Sequence, residues 1–365
     1  MKKKICVILP SHWSASMGGA EYQAKCFIEH LVELQEYEIF YLTRRFDPSY
    51  SPAGYRVIRI ANGKGFGRYG LFFDMLPLMR LLHRIQPDVI FLRSGCAYAA
   101  IAAHYANKMS CRLLWHIGSD RDVVPFQSDG RLGDINRYID KKLVEYGIRH
   151  CKNITVQTHQ QGQLLRKNYG RSPSGIIPNF HPLPTERIAK EDPFKIVWVA
   201  NFKHLKQPEL FVQLAKDLHA SGEKVQCIMI GAPSHSYPAW QRALEREISE
   251  VPNLSYYGRK SIEEVNLILA KSHLLVNTSL YEGLPNTFIQ AWMRKVPVVS
   301  LHVDPDGVIS SKSIGYCVGD YSEMFKKLVE LINDSLLRDQ MGKLAQSFAF
   351  EEYSKENIRL LMNFI

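Results

Sequence analysis

The chain has 365 residues, of which 46% are apolar and 11% aromatic, and its formal net charge is +10. This composition excludes a disordered chain, the length favours two domains of about 150 to 200 residues each, and no apolar run reaches the ~18 residues of a membrane-spanning helix. The three lysines at the start imitate a signal peptide, but the apolar stretch ICVILP is too short for one, and a buried first strand is predicted there.

Short apolar runs alternate with segments of helical period in the first half. The predicted strands are KICVILP (4–10), YEIFYLT (37–43), YRVIRI (55–60), DVIFLR (88–93), CRLLWHI (111–117) and NITVQT (153–158). The stretches between them are long enough for helices. This rhythm is typical of a parallel, doubly wound α/β sheet.

The same rhythm starts again in the second half. Its predicted strands are KIVWVAN (195–201), KVQCIMIG (224–231), LSYYG (254–258), HLLVNTS (273–279) and VPVVSL (296–301). Five of the 18 prolines fall between the halves, and proline removes hydrogen-bond donors, so this segment is a connector. We predict two Rossmann-like domains facing each other across a hinge, with the ligand site in the cleft between them.

A polar turn follows the predicted strand 273–279. Pro285 suits a helix start, so EGLPNTFIQAW opens a helix N-terminus, an anion site, at the carboxyl end of a strand. Glu282 would repel a phosphate placed too near, and we expect it to accept hydrogen bonds from hydroxyls. Gln290, on the helix face opposite Ile289 and Trp292, reaches a second part of the same polyhydroxylated, diphosphate-bearing ligand. The alternative is that Glu282 only caps the helix and Gln290 is solvated.

The segment EGLPNTFIQAWMRKVPVVS resembles the Glu-x7-Glu donor-binding signature of retaining glycosyltransferases of family 4, which have the GT-B fold of two facing Rossmann-like domains. Further segments follow in the family's order. SMGGAE resembles its glycine loop, LLWHIGSD its strand-end histidine segment, GIIPNF its Pro-Asn turn and VANFKHLK its Gly-Arg…Lys segment. PDGVI and the closing helix ENIRLLMNF extend the resemblance over nearly the whole chain.

The resemblance implies that the chain is divided into four segments. These are an acceptor domain (1–175), a proline-rich linker (176–194), a nucleotide-sugar donor domain (195–345) and a C-terminal helix (346–365) that crosses back to the first domain. The implied reaction moves a hexosyl or N-acetylhexosaminyl group from a nucleotide diphosphate sugar, a UDP- or GDP-sugar, to a saccharide or lipid-linked acceptor. Configuration is retained by front-face attack, without a cofactor or a metal, in cell-surface polysaccharide assembly.

The resemblance also implies the site residues. Glu282 binds the donor-sugar hydroxyls and His116 lies at the reacting centre, so these two are the expected catalytic residues. Glu21 is expected near the acceptor. The expected donor-binding residues are Gly18, Gly19, Asn201, Lys206, Arg259, Gly283, Leu284, Asn286, Thr287 and Gln290.

Two positions depart from the family pattern. Gln290 stands where the family usually has the glutamate of the ribose, and its carbonyl still accepts one hydroxyl bond. Asn201 stands where a diphosphate arginine is usual, which removes a bidentate contact. The lost charged contact costs ~1.5 to 3 kcal/mol of donor affinity unless Lys203 or Arg259 compensates.

Several alternatives accompany this interpretation. The first alternative is a nucleotide-sugar epimerase of the same fold. The second is a non-catalytic sugar- or nucleotide-binding partner of an active transferase, which Asn201 and Gln290 motivate. For His116, the alternative to a site residue is a satisfied core histidine. DPD at 304–306 resembles a metal-binding Asp-x-Asp, but it falls after the donor helix and a loop turn is predicted. SMGGAE lacks the GxGxxG spacing of a dehydrogenase.

The excess positive charge lies in the first half. Residues 1–180 hold 25 Lys and Arg against 14 Asp and Glu, a net charge of +11, whereas residues 181–365 have a net charge of −1. This favours an anionic membrane surface as a partner over nucleic acid, since no base-reading motif is present. In 65–85, Phe66, Tyr69, Phe72 and Phe73 either touch that membrane or belong to a helix facing the core.

The cysteines indicate the compartment. All seven are scattered, with no CxxC pair, and most lie in apolar segments. This is the pattern of reduced, packed thiols. We predict a cytoplasmic protein with peripheral contact at the inner face of the cytoplasmic membrane.

Overall fold

The computed structural model describes residues 2–61, 68–126, 134–185, 188–233 and 237–365, without the side chains of residues 68–70 and 134. The chain divides into two units. The first comprises residues 1–180 together with 355–365, and the second comprises residues 181–354. The first division falls inside the proline-rich segment 176–194, and the second falls nine residues after the predicted boundary at residue 345.

The first unit contains a parallel sheet of seven strands in the order β3-β2-β1-β4-β5-β6-β7. Residues 5–8 and 89–92 at its centre are buried apolar runs, as expected when helices cover both faces of a parallel sheet. The strands are β1 Lys3–Ile8, β2 Tyr37–Thr43, β3 Arg56–Arg59, β4 Val89–Leu92, β5 Arg112–His116, β6 Asn153–Val156 and β7 Gly175–Ile176. The helices are α1 Gly19–Leu34, α2 Met75–Ile85, α3 Tyr98–Met109, α4 Asp134–His150 and α5 His159–Tyr169, joined in this unit by the last helix of the chain.

The second unit contains a parallel sheet of six strands in the order β10-β9-β8-β11-β12-β13. The strands are β8 Phe194–Val199, β9 Val225–Ile230, β10 Leu254–Tyr256, β11 Leu274–Asn277, β12 Val298–Ser300 and β13 Gly315–Cys317. The helices are α6 Pro208–Ala220, α7 Pro238–Ser249, α8 Ile262–Ala270, α9 Asn286–Trp292, α10 Val308–Ser311, α11 Tyr321–Asn333 and α12 Ser335–Glu352. Two apolar clusters cover the two faces of the sheet.

The predicted fold class is confirmed, since both sheets are parallel and every predicted strand is present. The short strands β7 (Gly-Ile) and β13 (Gly-Tyr-Cys) were not predicted, since each begins with glycine and has no run of apolar β-branched residues. The predicted C-terminal helix 346–365 is instead the end of α12 and a separate helix, α13 Glu356–Met362. Helical geometry is lost at Tyr353 (φ −121°, ψ 28°), whose ring stacks on Trp292.

Within the ranges described, none of the helices combines the length and the apolar character required to cross a bilayer.

Candidate functional site

The strand order of the second sheet reverses beside β8. The chain runs outward from β8 to β9 and β10 and then returns to β11 on the other side of β8. At such a reversal the loops at the carboxyl ends of the strands diverge, and ligands of parallel α/β sheets bind in the crevice they leave. Lys206 lies in the loop after β8 and Glu282 in the loop after β11, so the two predicted residues flank this position.

Glu282 and Lys206 form an ion pair. Nζ of Lys206 lies 2.5 Å from Oε2 of Glu282, and both side chains are less than one-fifth exposed. The other carboxylate oxygen, Oε1, accepts hydrogen bonds from Nδ2 of Asn277 at 3.0 Å and from Oγ of Ser279 at 2.7 Å. Glu282 is thus held at both oxygens. It does not cap α9, which has no side-chain cap, so the capping alternative is wrong.

The electrostatics of Glu282 favour its charged form. Burial raises the pKa of the carboxyl, but the charge of Lys206 and the hydrogen bonds from Lys206, Ser279 and Asn277 together lower that pKa below its ordinary value of 4.5. The carboxylate is therefore ionised at neutral pH and can accept hydrogen bonds from hydroxyl groups.

This shift predicts a pH dependence of stability. A lowered pKa in the folded chain stabilises the fold above pH 4.5, the ordinary value, and that contribution is lost as the pH falls through the lowered value. The difference in free energy of unfolding between the wild type and Glu282→Gln is expected to shrink as the pH falls from 7 to 3. Urea unfolding at several pH values measures it, and a difference that stays constant or grows on acidification would contradict the assignment.

Thr278 joins the two loops that carry the ion pair. Its Oγ1 donates to the carbonyl oxygen of Lys206 at 2.6 Å and accepts from Nε1 of the buried Trp198 at 2.9 Å. The amide of Leu280 donates to the carbonyl of Leu205 at 3.0 Å. The positions of Lys206 and Glu282 are therefore coupled through the backbone as well as through their charges.

The supporting residues Asn277, Thr278 and Ser279 were not predicted. They stand at the end of HLLVNTS, where an apolar strand turns polar, and that change was the available signal. All three residues are buried, and each side chain has a hydrogen-bond partner: Glu282 for Asn277 and Ser279, and the carbonyl of Lys206 for Thr278.

Helix α9 begins one residue later than expected. Pro285 is its N-cap residue, with φ −65° and ψ 124°, and Asn286 is the first helical residue. Oδ1 of Asn286 pairs with Nε2 of the buried His181 at 3.0 Å. Burial lowers the pKa of His181 to about 4, so the ring is neutral at physiological pH. Gly283, Leu284 and Thr287 belong to the same turn around the start of this helix.

Gln290 is buried rather than solvated. Only 5% of the residue is exposed, and Nε2 donates to Oδ1 of Asn266 on α8 at 2.9 Å. Ile289 and Trp292 are buried as well, so the alternative of a solvated Gln290 is wrong. All three belong to a short helix enclosed on several sides by α8, α12 and β12.

The loops after β8, β9 and β10 are joined to one another. Oδ1 of Asn201 accepts from the amide of Ala232 at 3.0 Å, and the amide of Gly231 donates to the carbonyl of Gly258 at 3.0 Å. Gly231 is required here, because a Cβ atom would come within 1.8 Å of the carbonyl oxygen of Ala200. Arg259 follows Gly258 directly and is exposed.

The predicted residues of the first unit lie at the carboxyl ends of two different strands. Gly18 is the N-cap of α1 and Gly19 its first residue, in the loop that follows β1, and Glu21 belongs to the first turn of α1. His116 ends β5, which β4 separates from β1. Neither glycine has a positive φ. A Cβ on Gly18 would come within 2.6 Å of a Glu21 carboxylate oxygen, so this position is crowded.

His116 is wholly buried and held at one nitrogen. Its Nδ1 pairs with Oγ1 of Thr155 on β6 at 2.9 Å. Its Nε2 is buried without a hydrogen-bond partner among the described residues. A satisfied core histidine would use both nitrogens, so this one keeps a polar atom to offer a ligand.

The Asp-Pro-Asp segment serves the backbone. Oδ1 of Asp304 accepts from the amide of Ile309 at 2.7 Å, and Oδ2 accepts from the amide and the hydroxyl of Ser310. These bonds hold the turn before α10, as predicted for a loop. No group of three or more His, Cys, Asp or Glu side chains comes together as a metal site in the described parts of the chain.

Solved structures share this architecture across the whole chain. HepE of Anabaena, in complex with UDP and glucose, is 14% identical with a TM-score of 0.74, over 99% of this chain and 98% of that one. WaaG, a glycosyltransferase involved in lipopolysaccharide biosynthesis, is 14% identical with a TM-score of 0.78, over 99% of each chain. The two parallel-sheet units are therefore those of the GT-B class of glycosyltransferases.

Two family models match the sequence itself. Residues 17–183 match Glycosyltransferase Family 4 and residues 183–348 match Glycosyl transferases group 1. Together the matches cover most of the chain, which belongs to the family 4 type of glycosyltransferases and confirms the resemblance inferred from the signature.

One relative matches over a shorter stretch. The poly(ribitol-phosphate) alpha-N-acetylglucosaminyltransferase of Staphylococcus aureus strain COL is 33% identical over 89 residues, which are 23% of this chain and 18% of that protein.

Proposed function

We propose that this chain transfers a sugar from a nucleotide diphosphate sugar, with retention of configuration, to a saccharide or lipid-linked acceptor of a cell-surface polysaccharide. The observation that carries the proposal is the ion pair between Lys206 and Glu282 at the strand-order reversal of the second sheet. It provides a cation for a diphosphate and a carboxylate for sugar hydroxyls side by side.

The two side chains have complementary roles. One N–H of the Lys206 ammonium is directed to Glu282, which leaves two donors for phosphate oxygens. The leaving group is a nucleoside diphosphate whose negative charge grows as the anomeric bond breaks, so a positioned cation stabilises the transition state more than the ground state. Glu282, held by Asn277 and Ser279, accepts hydrogen bonds from the donor sugar.

The remaining donor contacts come from the neighbouring loops. The backbone of Gly283, Leu284, Asn286 and Thr287 surrounds the start of α9 beside Glu282. The Asn201 side chain has its oxygen occupied by Ala232, so its Nδ2 group is the end that binds phosphate in place of a guanidinium.

Two further residues of the second unit, Gln290 and Arg259, complete the donor site. Gln290 donates through Nε2 to Asn266, so its carbonyl oxygen is the atom that accepts from the ribose. Arg259 lies beside the base, and Lys206 neutralises the diphosphate without a metal.

The first unit supplies the reacting centre. His116 binds the donor sugar through Nε2 while Thr155 holds Nδ1. Gly18 and Gly19 bring backbone amides toward the diphosphate, and Glu21 contacts the acceptor. The sugar is a hexosyl or N-acetylhexosaminyl group. The complex of HepE with UDP supports a UDP-sugar as the donor, and the N-acetylglucosaminyltransferase of S. aureus supports an N-acetylhexosaminyl group. The reaction takes place in the cytoplasm.

Thermal unfolding with UDP, GDP, ADP, CMP and buffer tests the proposal. A nucleotide at about 100 times its Kd stabilises by ~2.7 kcal/mol, which raises the unfolding temperature by several degrees. We expect UDP or GDP to give this shift and Lys206→Gln to lose it. Lys216→Gln, on α6 of the same unit, is the matched control and should respond like the wild type.

The outcomes separate the alternatives. The responding nucleotide names the donor, and NMR of the product formed with that donor should show the anomeric configuration unchanged. A new sugar nucleotide formed from the donor without any acceptor would favour an epimerase. No shift with any nucleotide would overturn the proposal in favour of a non-catalytic partner.

A further inference from the structure

Five large apolar side chains of the first unit are exposed on two adjoining elements. Phe73, Met75 and Leu76 lie where a 3-10 turn (Arg68–Asp74) leads into α2, and Ile135 and Tyr138 lie in the first turns of α4; they are 48% to 75% exposed. The turn and α4 pack against each other. These five side chains are called the apolar face below. Of the aromatic residues predicted to touch a membrane, Phe73 belongs to it, Phe72 is half-buried, and Phe66 and the side chain of Tyr69 lie outside the described residues.

Two acidic side chains beside the apolar face, among those that the structure describes, are buried. Asp74 binds Arg44 at 2.9 Å and accepts from the hydroxyl of Tyr98. Asp140 on α4 accepts from the amide of Ala97 at 2.9 Å. These hydrogen bonds connect the 3-10 turn and α4 to the start of α3. Both carboxylates are buried, so neither presents negative charge to the solvent.

The cations beside the apolar face are exposed instead. Arg80 and Arg84 follow Leu76 on α2 at intervals of four residues, so the three share one side of the helix. Helix α2 contains no acidic residue. On α4, Lys142 is half exposed and pairs with the buried Glu145. The apolar face is therefore bordered by basic residues.

This arrangement fits one partner. Apolar side chains flanked by arginines are the pattern of elements that lie in the interface of a bilayer, where the side chains enter the headgroup region and the cations meet acidic lipids. The net charge of +11 in residues 1–180, against −1 in the rest, adds attraction over a longer range. We propose that the apolar face, with Arg80 and Arg84, binds peripherally to a membrane surface containing anionic lipids. The proposal does not depend on the sugar chemistry proposed above.

Vesicle cosedimentation of the full chain tests the inference. The vesicles are phosphatidylcholine alone or phosphatidylcholine with 30% phosphatidylglycerol, a composition chosen as about one-third anionic, at low and high salt. We expect binding to the anionic vesicles only, weakened by salt. At about 1 kcal/mol per arginine, Arg80→Gln with Arg84→Gln should weaken binding roughly 30-fold, and Leu76→Ser roughly tenfold.

Matched controls lie in the second unit. Arg242 and Arg246 are an exposed pair at the same spacing on α7, and Leu336 is an exposed leucine on α12. Their replacement by glutamine and by serine should leave vesicle binding unchanged, and circular dichroism checks that every variant is folded. Equal or negligible binding to both kinds of vesicle would overturn the inference. So would wild-type binding by Leu76→Ser and by the Arg80→Gln, Arg84→Gln double variant. A dimer seen by sedimentation equilibrium, abolished by Leu76→Ser in a protein that does not bind vesicles, would assign the apolar face to a second copy and overturn it as well.

Discussion

Replacing Glu282 with glutamine is expected to lower kcat/KM for sugar transfer by at least ~100-fold. Glutamine keeps the size of the side chain but removes the charge that the sugar hydroxyls and Lys206 bind. Two charge-assisted hydrogen bonds at about 1.5 to 3 kcal/mol each account for a loss of this size. Steady-state kinetics with the donor identified by thermal unfolding measure it.

The matched control is Glu263→Gln, an exposed glutamate on α8 of the same unit. It should retain the wild-type kcat/KM. Circular dichroism and the unfolding temperature establish that Glu282→Gln is folded at the assay temperature. A folded Glu282→Gln protein with full activity would remove the ion pair from the donor site and leave the proposed function without its main support.

The second large effect is expected at His116. His116→Ala removes the buried Nε2 that has no partner among the described residues, and kcat should fall by roughly 100- to 1000-fold, the usual cost of one positioned polar group at a reacting centre. Thr155→Val removes the bond to Nδ1 but leaves the ring, so a smaller loss is expected from misorientation alone. Single-turnover kinetics with saturating donor separate the chemical step from binding.

The control for this series is His104→Ala, an exposed histidine on α3. It should behave as the wild type. Since His116 is wholly buried, its loss also destabilises the first unit, and the folded fraction must be measured in parallel. A His116→Ala protein that is folded and has wild-type kcat would assign this histidine to the core.

The site of the second unit illustrates how far a sequence pattern reaches. The turn after HLLVNTS predicted where Glu282 lies, because the carboxyl end of a parallel strand and a proline near the helix start are local features. The partner of Glu282 was not predicted. Lys206 and Glu282 are 76 positions apart in the chain and meet only because β8 and β11 are neighbours in the sheet.

Gln290 shows the opposite case. Its spacing from Glu282 matched the family signature, but that spacing left open whether the side chain is solvated or buried. A seven-residue helix packed by α8, α12 and β12 has almost no solvent side, and helical periodicity alone cannot reveal such enclosure. The hydrogen bond to Asn266 depends on α8 being adjacent in space.

The sequence predicted the fold class, every described strand except β7 and β13, and the family, because apolar runs and turn residues act over a few neighbouring positions and recur in a regular order. The contacts between polar groups could be read only from the tertiary structure. It pairs Glu282 with Lys206, directs Asp74 and Asp140 inward, and leaves the apolar face exposed. Burial and charge pairing depend on distances between residues far apart in the chain, and only the packed sheets and helices set those distances.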